Sequence, residues 1–248
     1  MKFYKALDSV KLKKYSEVDK NQFALTFYSK SGFKSSELFD KELKKKVSNF
    51  FADEKRSSLF LSKELTGLKG DFLVLRDFNK NKSEYKKYAW MKGLFANLDK
   101  YAVENAVIYA DTSYLSKDDN FLFDLAKTAE KVSYRYTDTN PNTKKELILK
   151  NVSLAVENAS AAQKKVVQLG YNVGSGANTA RNLGDRPANH ATPSYIANAV
   201  KGLAKDIGGF SVEILEEKDM QKLGMGCLLS VSRGSIEPAK LVTMQYKG

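Results

Sequence analysis

The feature that most limits the fold of this chain is an alternation in its first 140 residues, where short apolar runs recur between longer amphipathic stretches. Short runs suit strands, and stretches with apolar residues three and four apart suit helices. Strands alternating with helices build a helix-covered sheet, so the expected class is α/β with a mixed sheet. Predicted strands are Phe23–Tyr28, Ser58–Leu61, Phe72–Arg76 and Ala106–Tyr109. Predicted helices span about 36–51, 84–98 and 120–132. The first of these places Phe39, Leu43, Val47 and Phe50 on one side, with Lys41, Lys44, Lys45 and Lys46 on a solvated face.

Tyr134-Arg135-Tyr136 is followed by the turn-rich segment Thr137–Thr143, which breaks periodicity and sets an expected domain boundary. Beyond it, Ile148, Val152, Ala155, Ala159, Ala162, Val166 and Leu169 repeat at alternating spacings of four and three. That spacing predicts one long helix with a narrow apolar seam. Gly170, Gly174 and Gly176 then read as a helix stop and hinge. The expected domains are therefore 1–143 (an α/β domain), 144–176 (connector helix and Gly-rich hinge) and 177–248 (the start of a second α/β domain). Within the last, Thr192-Pro193 reads as an N-cap followed by proline, opening a helix to about Ile207 that stops at Gly208-Gly209. A strand at Phe210–Leu215, a short helix at Glu217–Leu223 and a strand at Lys240–Tyr246 follow. Two strands leave most of a sheet missing, so 177–248 is expected to pack poorly alone while 1–135 folds independently.

Composition removes several classes. With one cysteine, Cys227, the chain cannot form an internal disulfide, and a reducing compartment is favoured. One histidine, His190, cannot build a His-rich zinc site, and with Cys227 it supplies two soft ligands where structural zinc takes about four. Met1-Lys2-Phe3-Tyr4-Lys5 leads into charge rather than an apolar leader, and no run is long enough to span a bilayer; the expected location is the cytoplasm. The net charge of +12 is concentrated at the front: residues 1–100 carry 23 Lys and Arg against 13 Asp and Glu. Aromatic residues interleave with lysines in Tyr85-Lys86-Lys87-Tyr88-Ala89-Trp90-Met91-Lys92, a surface able to neutralise phosphates. Only Arg56 and Arg76 occur before residue 101, which argues against bidentate base reading.

Catalytic constellations are scarce. The glycine-rich stretch at 170–176 follows a helix rather than a strand and matches no phosphate-binding fingerprint. Ser230-Val231-Ser232-Arg233-Gly234 lacks the first glycine of a nucleophile elbow. Asp118-Asp119 and Glu216-Glu217 read as acidic helix starts, Cys227 as a small buried residue, and His190 as a loop residue making a backbone hydrogen bond.

The segment Asn178–Ala197, containing Ala180-Arg181, Leu183, Pro187-Ala188-Asn189 and Thr192-Pro193, resembles the entry to the catalytic domain of the cytosol (leucyl) aminopeptidase family. The likeness continues in order through Val212–Leu215, Lys222–Gly226, Leu228–Val231, Arg233–Ser235 and the strand ending Tyr246-Lys247-Gly248. It implies a macro-like N-terminal domain, a di-metal (Zn or Mn) peptidase releasing N-terminal residues, and a hexamer. The family's metal-binding and catalytic lysines, carboxylates and arginine would lie beyond the last strand, so no residue of this chain inherits a catalytic, cofactor-binding or metal role. The implied reading is the N-terminal portion of a leucyl aminopeptidase, inactive alone. The alternative is a non-catalytic binding or assembly module using the basic domain for nucleic acid or subunit contacts.

Overall fold

The computed structural model describes residues 5–18, 22–28, 41–53, 58–61, 72–76, 83–110, 119–139, 148–156 and 158–247. Contacts divide the chain into two units. The first comprises Lys5–Arg135 and Lys145–Asn178; the second comprises Thr179–Gly248 with Tyr136–Lys144 and Met1–Tyr4.

The first unit is built on a six-stranded mixed sheet. Its strands are β1 (Ser9–Lys14), β2 (Phe23–Tyr28), β3 (Ser58–Leu61), β4 (Phe72–Arg76), β5 (Asn105–Ala110) and β6 (Asn151–Val156), in the order β1-β6-β5-β2-β4-β3. All neighbours pair in parallel except β3 with β4. Central strands of such sheets are covered on both faces and read as continuous apolar runs. Val152–Val156 of β6 are accordingly all buried, as are Ala106, Val107, Ile108 and Tyr109 of β5. Strand β1 lies at an edge and alternates, with Val10 and Leu12 buried while Lys11 and Lys14 are exposed. Lysines on an edge strand discourage pairing with another chain.

Among the described residues, three helices accompany the first five strands: α1 (Lys41–Ala52), α2 (Glu84–Lys100) and α3 (Asp119–Val132). Helix α2 buries Met91, Leu94, Phe95 and Leu98, and α3 buries Phe121, Leu122, Leu125, Ala126 and Ala129, all in one core with β1, β5 and β6. In α1, Val47 and Phe50 are buried as the spacing predicts, while Lys41 and Lys45 are exposed. Phe39 lies outside the described residues.

The connector helix expected over 144–176 is corrected by the structure. Residues 151–156 form β6, and a separate helix, α4 (Ala161–Asp185), runs through all three glycines. Periodicity misleads here because Val-Ser-Leu-Ala-Val is apolar on both sides of a strand paired with β1 and β5, a pattern that a buried helix also shows. The expected seam is not the buried face of α4. Leu169 is 56% exposed, and the buried positions are Val167, Gly170, Tyr171, Gly174, Ser175, Asn178, Thr179 and Asn182.

The glycines are not a hinge; two of them admit α3. A Cβ on Gly170 would lie 2.3 Å from the Phe123 carbonyl oxygen, and one on Gly174 would lie 2.8 Å from Glu130 Cβ and 2.9 Å from the Lys127 carbonyl oxygen. Around Gly176 there is nothing within 4 Å.

In the second unit, α5 (Pro193–Asp206) packs on an antiparallel pair, β7 (Phe210–Glu216) and β8 (Lys240–Tyr246), joined through α6 (Glu217–Lys222) and α7 (Gly226–Ser232). Thr192 caps α5 as expected, its Oγ1 accepting from the Tyr195 N–H at 3.2 Å. Helix α7 was not anticipated, and it overturns the expected burial of Cys227, which is exposed on that helix.

Candidate functional site

Glu130, in the last turn of α3, and Asn178, on α4, are polar residues of the first unit with 0% exposure. Glu130 Oε1 accepts from the Ala6 N–H at 2.6 Å and its Oε2 from the Leu7 N–H at 2.9 Å. Asn178, on α4, donates its amide to the Glu130 carbonyl at 2.8 Å and to Oε1 at 3.2 Å. The Tyr171 hydroxyl donates to the Leu7 carbonyl at 2.7 Å. Together these bonds tie the segment entering β1 to two helices. Burial pushes the Glu130 carboxyl above its ordinary range, against the opposing pull of the Ala6 and Leu7 N–H groups, the Asn178 amide and Lys5. Tyr171 is pushed up to about 12 by burial and by the negative charges of Glu130 and Asp8. Both oxygens of the carboxylate are engaged by the chain itself, so the cluster acts as a clamp rather than an acid or base toward a substrate.

A second buried charge lies between α2 and α3. Lys87 donates to Asp124 at 2.8 Å, and Lys127 donates to the same carboxylate at 2.7 Å. Burial acts to raise the Asp124 pKa, but hydrogen bonds and charge from Lys127 and Lys87 outweigh it and hold the carboxyl below its usual value. The lysine-aromatic run is thereby divided. Lys87, Trp90 and Met91 turn inward, while Tyr85, Lys86, Tyr88 and Lys92 are exposed, with Lys131 Nζ 5.5 Å from the Tyr88 ring. A cavity of about 200 Å³ beside this helix is lined by Lys92, Phe95, Ala96, Val132, Ser133, Arg135 and Leu149. It offers cations and one hydroxyl, without the paired carboxylates that acid-base hydrolysis uses.

In the second unit the motif residues are structural. Arg186 pairs with Asp138 and stacks on Tyr195 with its guanidinium carbon 4.9 Å from the ring centre. The exposed His190 donates its backbone N–H to the Pro187 carbonyl at 2.8 Å. The Glu216 carboxylate pairs with Lys240 and Glu217 accepts from the Ala239 N–H at 2.8 Å, while Asp219 accepts from the Glu216 N–H at 3.2 Å, so the carboxylates at the start of α6 are engaged by the chain itself. Helix α3 begins at Asp119; Asp118 lies outside the described residues. Ser230 and Ser232 donate to carbonyls three residues back within α7, at 2.7 and 3.0 Å, in place of the exposed strand-to-helix turn a nucleophile needs. No three His, Cys, Asp or Glu side chains gather among the described residues, so these residues do not fit a di-metal centre.

Residues 178–248 match the catalytic domain of the cytosol aminopeptidase family. A probable cytosol aminopeptidase of Nitrosococcus oceani is 39% identical over 127 residues, covering 50% of this chain and 25% of the relative. One from Aromatoleum aromaticum is 32% identical over 205 residues, covering 79% of this chain and 41% of the relative. The chain is a partial member of the cytosol aminopeptidase family. A tomato leucine aminopeptidase mutant shares the fold at a TM-score of 0.72 and 16% identity, over 96% of this chain and 50% of that one. The bottromycin maturation enzyme BotP does so at 0.66, again at 16% identity, over 91% and 46%. This aminopeptidase-family chain thus spans a quarter to two fifths of these two curated relatives and half of the tomato structure. The family is a metallopeptidase family, and no helix among the described residues is long and apolar enough to cross a membrane.

The Glu130 clamp was missed in the sequence, although a signal was there. Glu130 falls four residues after Ala126 and eight after Leu122, a charged residue on the buried stripe of α3. A carboxylate in such a place requires donors, and Asn178 lies inside the segment that carries the family resemblance.

Proposed function

We propose that this chain supplies the N-terminal portion of a leucyl aminopeptidase, a cytoplasmic di-metal hydrolase that releases N-terminal amino acids from peptides and assembles as a hexamer. The observation that carries this reading is the co-linear match of residues 178–248 to the family's catalytic domain. In it, the first unit is a macro-like domain, residues 177–248 are the opening of the catalytic domain, and no catalytic or metal ligand belongs to this chain. The two ions, Mn or Zn, and the groups that hold them come from the remainder of the family fold. Purified chain with Mn²⁺ should release no p-nitroaniline from leucine p-nitroanilide above buffer. Turnover that scales with chain concentration would overturn the reading.

A second reading is favoured by the exposed Lys86, Lys92 and Tyr85 of α2 and the exposed Lys41 and Lys45 of α1. These cations suit non-specific contact with nucleic acid phosphates. Under this reading, duplex DNA binds at low salt with log K falling linearly in log salt, and Lys86→Glu with Lys92→Glu reduces the slope. No binding at low salt removes it.

A further inference from the structure

The described residues around the cavity of about 200 Å³ beside α2 all belong to the first unit, and they form two kinds of wall. One wall is apolar and includes the buried Phe95 and Leu149. The other carries Lys92, Ser133 and Arg135, and among the described residues no carboxylate lines the space. Ser133 is 4% exposed. Its backbone N–H donates to the Ala129 carbonyl at 3.2 Å, while its hydroxyl makes no hydrogen bond among the described residues. A hydroxyl held away from water calls for a partner, and the cavity it lines is where one can reach it.

The end of α3 by itself would repel an anion, because the last carbonyls of a helix carry a partial charge of about −0.5. Arg135 removes that obstacle. Its Nη1 donates to the Val132 and Tyr134 carbonyls at 2.9 Å each, which engages two acceptors and fixes a full positive charge at the cavity wall. Lys92 brings a second charge from α2. We propose that this cavity binds a small monocarboxylate with a compact apolar body. The carboxylate accepts from the Ser133 hydroxyl and is held by the charges of Lys92 and Arg135, and the hydrocarbon lies on Phe95 and Leu149. Size sets the limit: an apolar cavity of roughly 150 Å³ takes up benzene, so this one admits a body of about six carbons. An amino acid suits it less well, because no carboxylate lines the cavity and the Val132 and Tyr134 carbonyls are engaged by Arg135, which leaves an ammonium group poorly matched. Inorganic phosphate would leave the apolar wall uncovered.

Titration of the whole chain with isocaproate, which is leucine without its amino group, tests this by backbone amide NMR. The expected result is saturable shifts in 92–97 and 132–135, in about the millimolar range that so small a ligand reaches. The neutral isocaproamide and leucine itself should each bind at least about tenfold more weakly, and phosphate should compete no better than they do. Ser133→Ala should weaken isocaproate about tenfold or more, the usual worth of a hydrogen bond to a charged group. Ala96→Phe changes an exposed residue of the cavity wall, should leave the circular dichroism unchanged, and should abolish binding by filling the space. Absence of saturable shifts, or binding indifferent to both substitutions, overturns the proposal. Equal binding of isocaproamide or leucine also overturns it, because the cations would then select nothing. Phosphate competing on equal terms with isocaproate does so too, since the apolar wall would have no part in recognition.

Discussion

Gly170→Ala is expected to lower the stability of the first unit by about 3 kcal/mol, the upper part of the usual overpacking range, which for a unit of this size is a Tm drop of roughly 6–12 °C. The added Cβ would lie 2.3 Å from the Phe123 carbonyl oxygen, and that atom is backbone, held by the hydrogen bonds of α3. A flexible side chain could swing away; a helix carbonyl moves only if α3 and α4 separate along their contact. Separation would loosen Val167 and Tyr171 from the core as well. Gly176→Ala supplies the control within the same helix. Nothing lies within 4 Å of its Cβ, so the better helix propensity of alanine should make it neutral or stabilising by about 0.5–1 kcal/mol. Trp90, the single tryptophan, belongs to the first unit and packs at the core near Phe121, so its fluorescence during urea unfolding follows this unit. Equal effects of the two substitutions would show that the close approach of α3 and α4 has no energetic weight.

Removing the Glu130 side chain should cost about 3–5 kcal/mol, measured by the same Trp90 transition. Glu130→Ala leaves the Ala6 and Leu7 N–H groups without acceptors and takes one acceptor from the Asn178 amide. Hydrogen exchange at Ala6 and Leu7 should accelerate well before global unfolding, because the clamp holds that segment locally. Glu130→Gln separates shape from charge. It keeps one acceptor and sets an amide N–H₂ against the second backbone donor, so it is also destabilising, though less so.

The pH dependence of that pair has a defined sign. Burial raises the Glu130 pKa above its ordinary 4.5, so its contribution to stability is fully present below 4.5 and is lost as pH rises through the folded value. Glutamine carries no such loss. The deficit of Glu130→Gln relative to the natural chain should therefore shrink as pH rises from 4 toward 7. A deficit that grows over that range would mean the backbone donors hold the carboxylate better than burial penalises it.

How much of this was legible in the sequence differs by element. Strands β2, β3, β4 and β8 carry the predicted bounds, and the helices at 84–100, 119–132 and 193–206 are within two residues of theirs, because each combines one clear period with local end signals such as Thr192-Pro193. Strand β1 has a weak sequence signal because Ser-Val-Lys-Leu-Lys-Lys has only two apolar residues, too few to mark a strand without its partner β6. Strand β6 carries a helix-like spacing because burial on both faces erases the period that would distinguish a strand from a buried helix. The family resemblance was readable because it rests on residues fixed by local geometry: caps, turns and strand alternation in 178–248.

Composition, periodicity and the ordered motifs alone determined the α/β class and the family resemblance, since each follows from residue type and local spacing. Tertiary structure alone decided that Gly170 and Gly174 are contact points rather than a hinge, that Glu130 is a clamp, and that Cys227, Val231, Ile236 and Met244 face outward. Those facts depend on which distant segment arrives at a side chain. A glycine in a helix looks like a flaw until the carbonyl of another helix is placed 2.3 Å from where its Cβ would be.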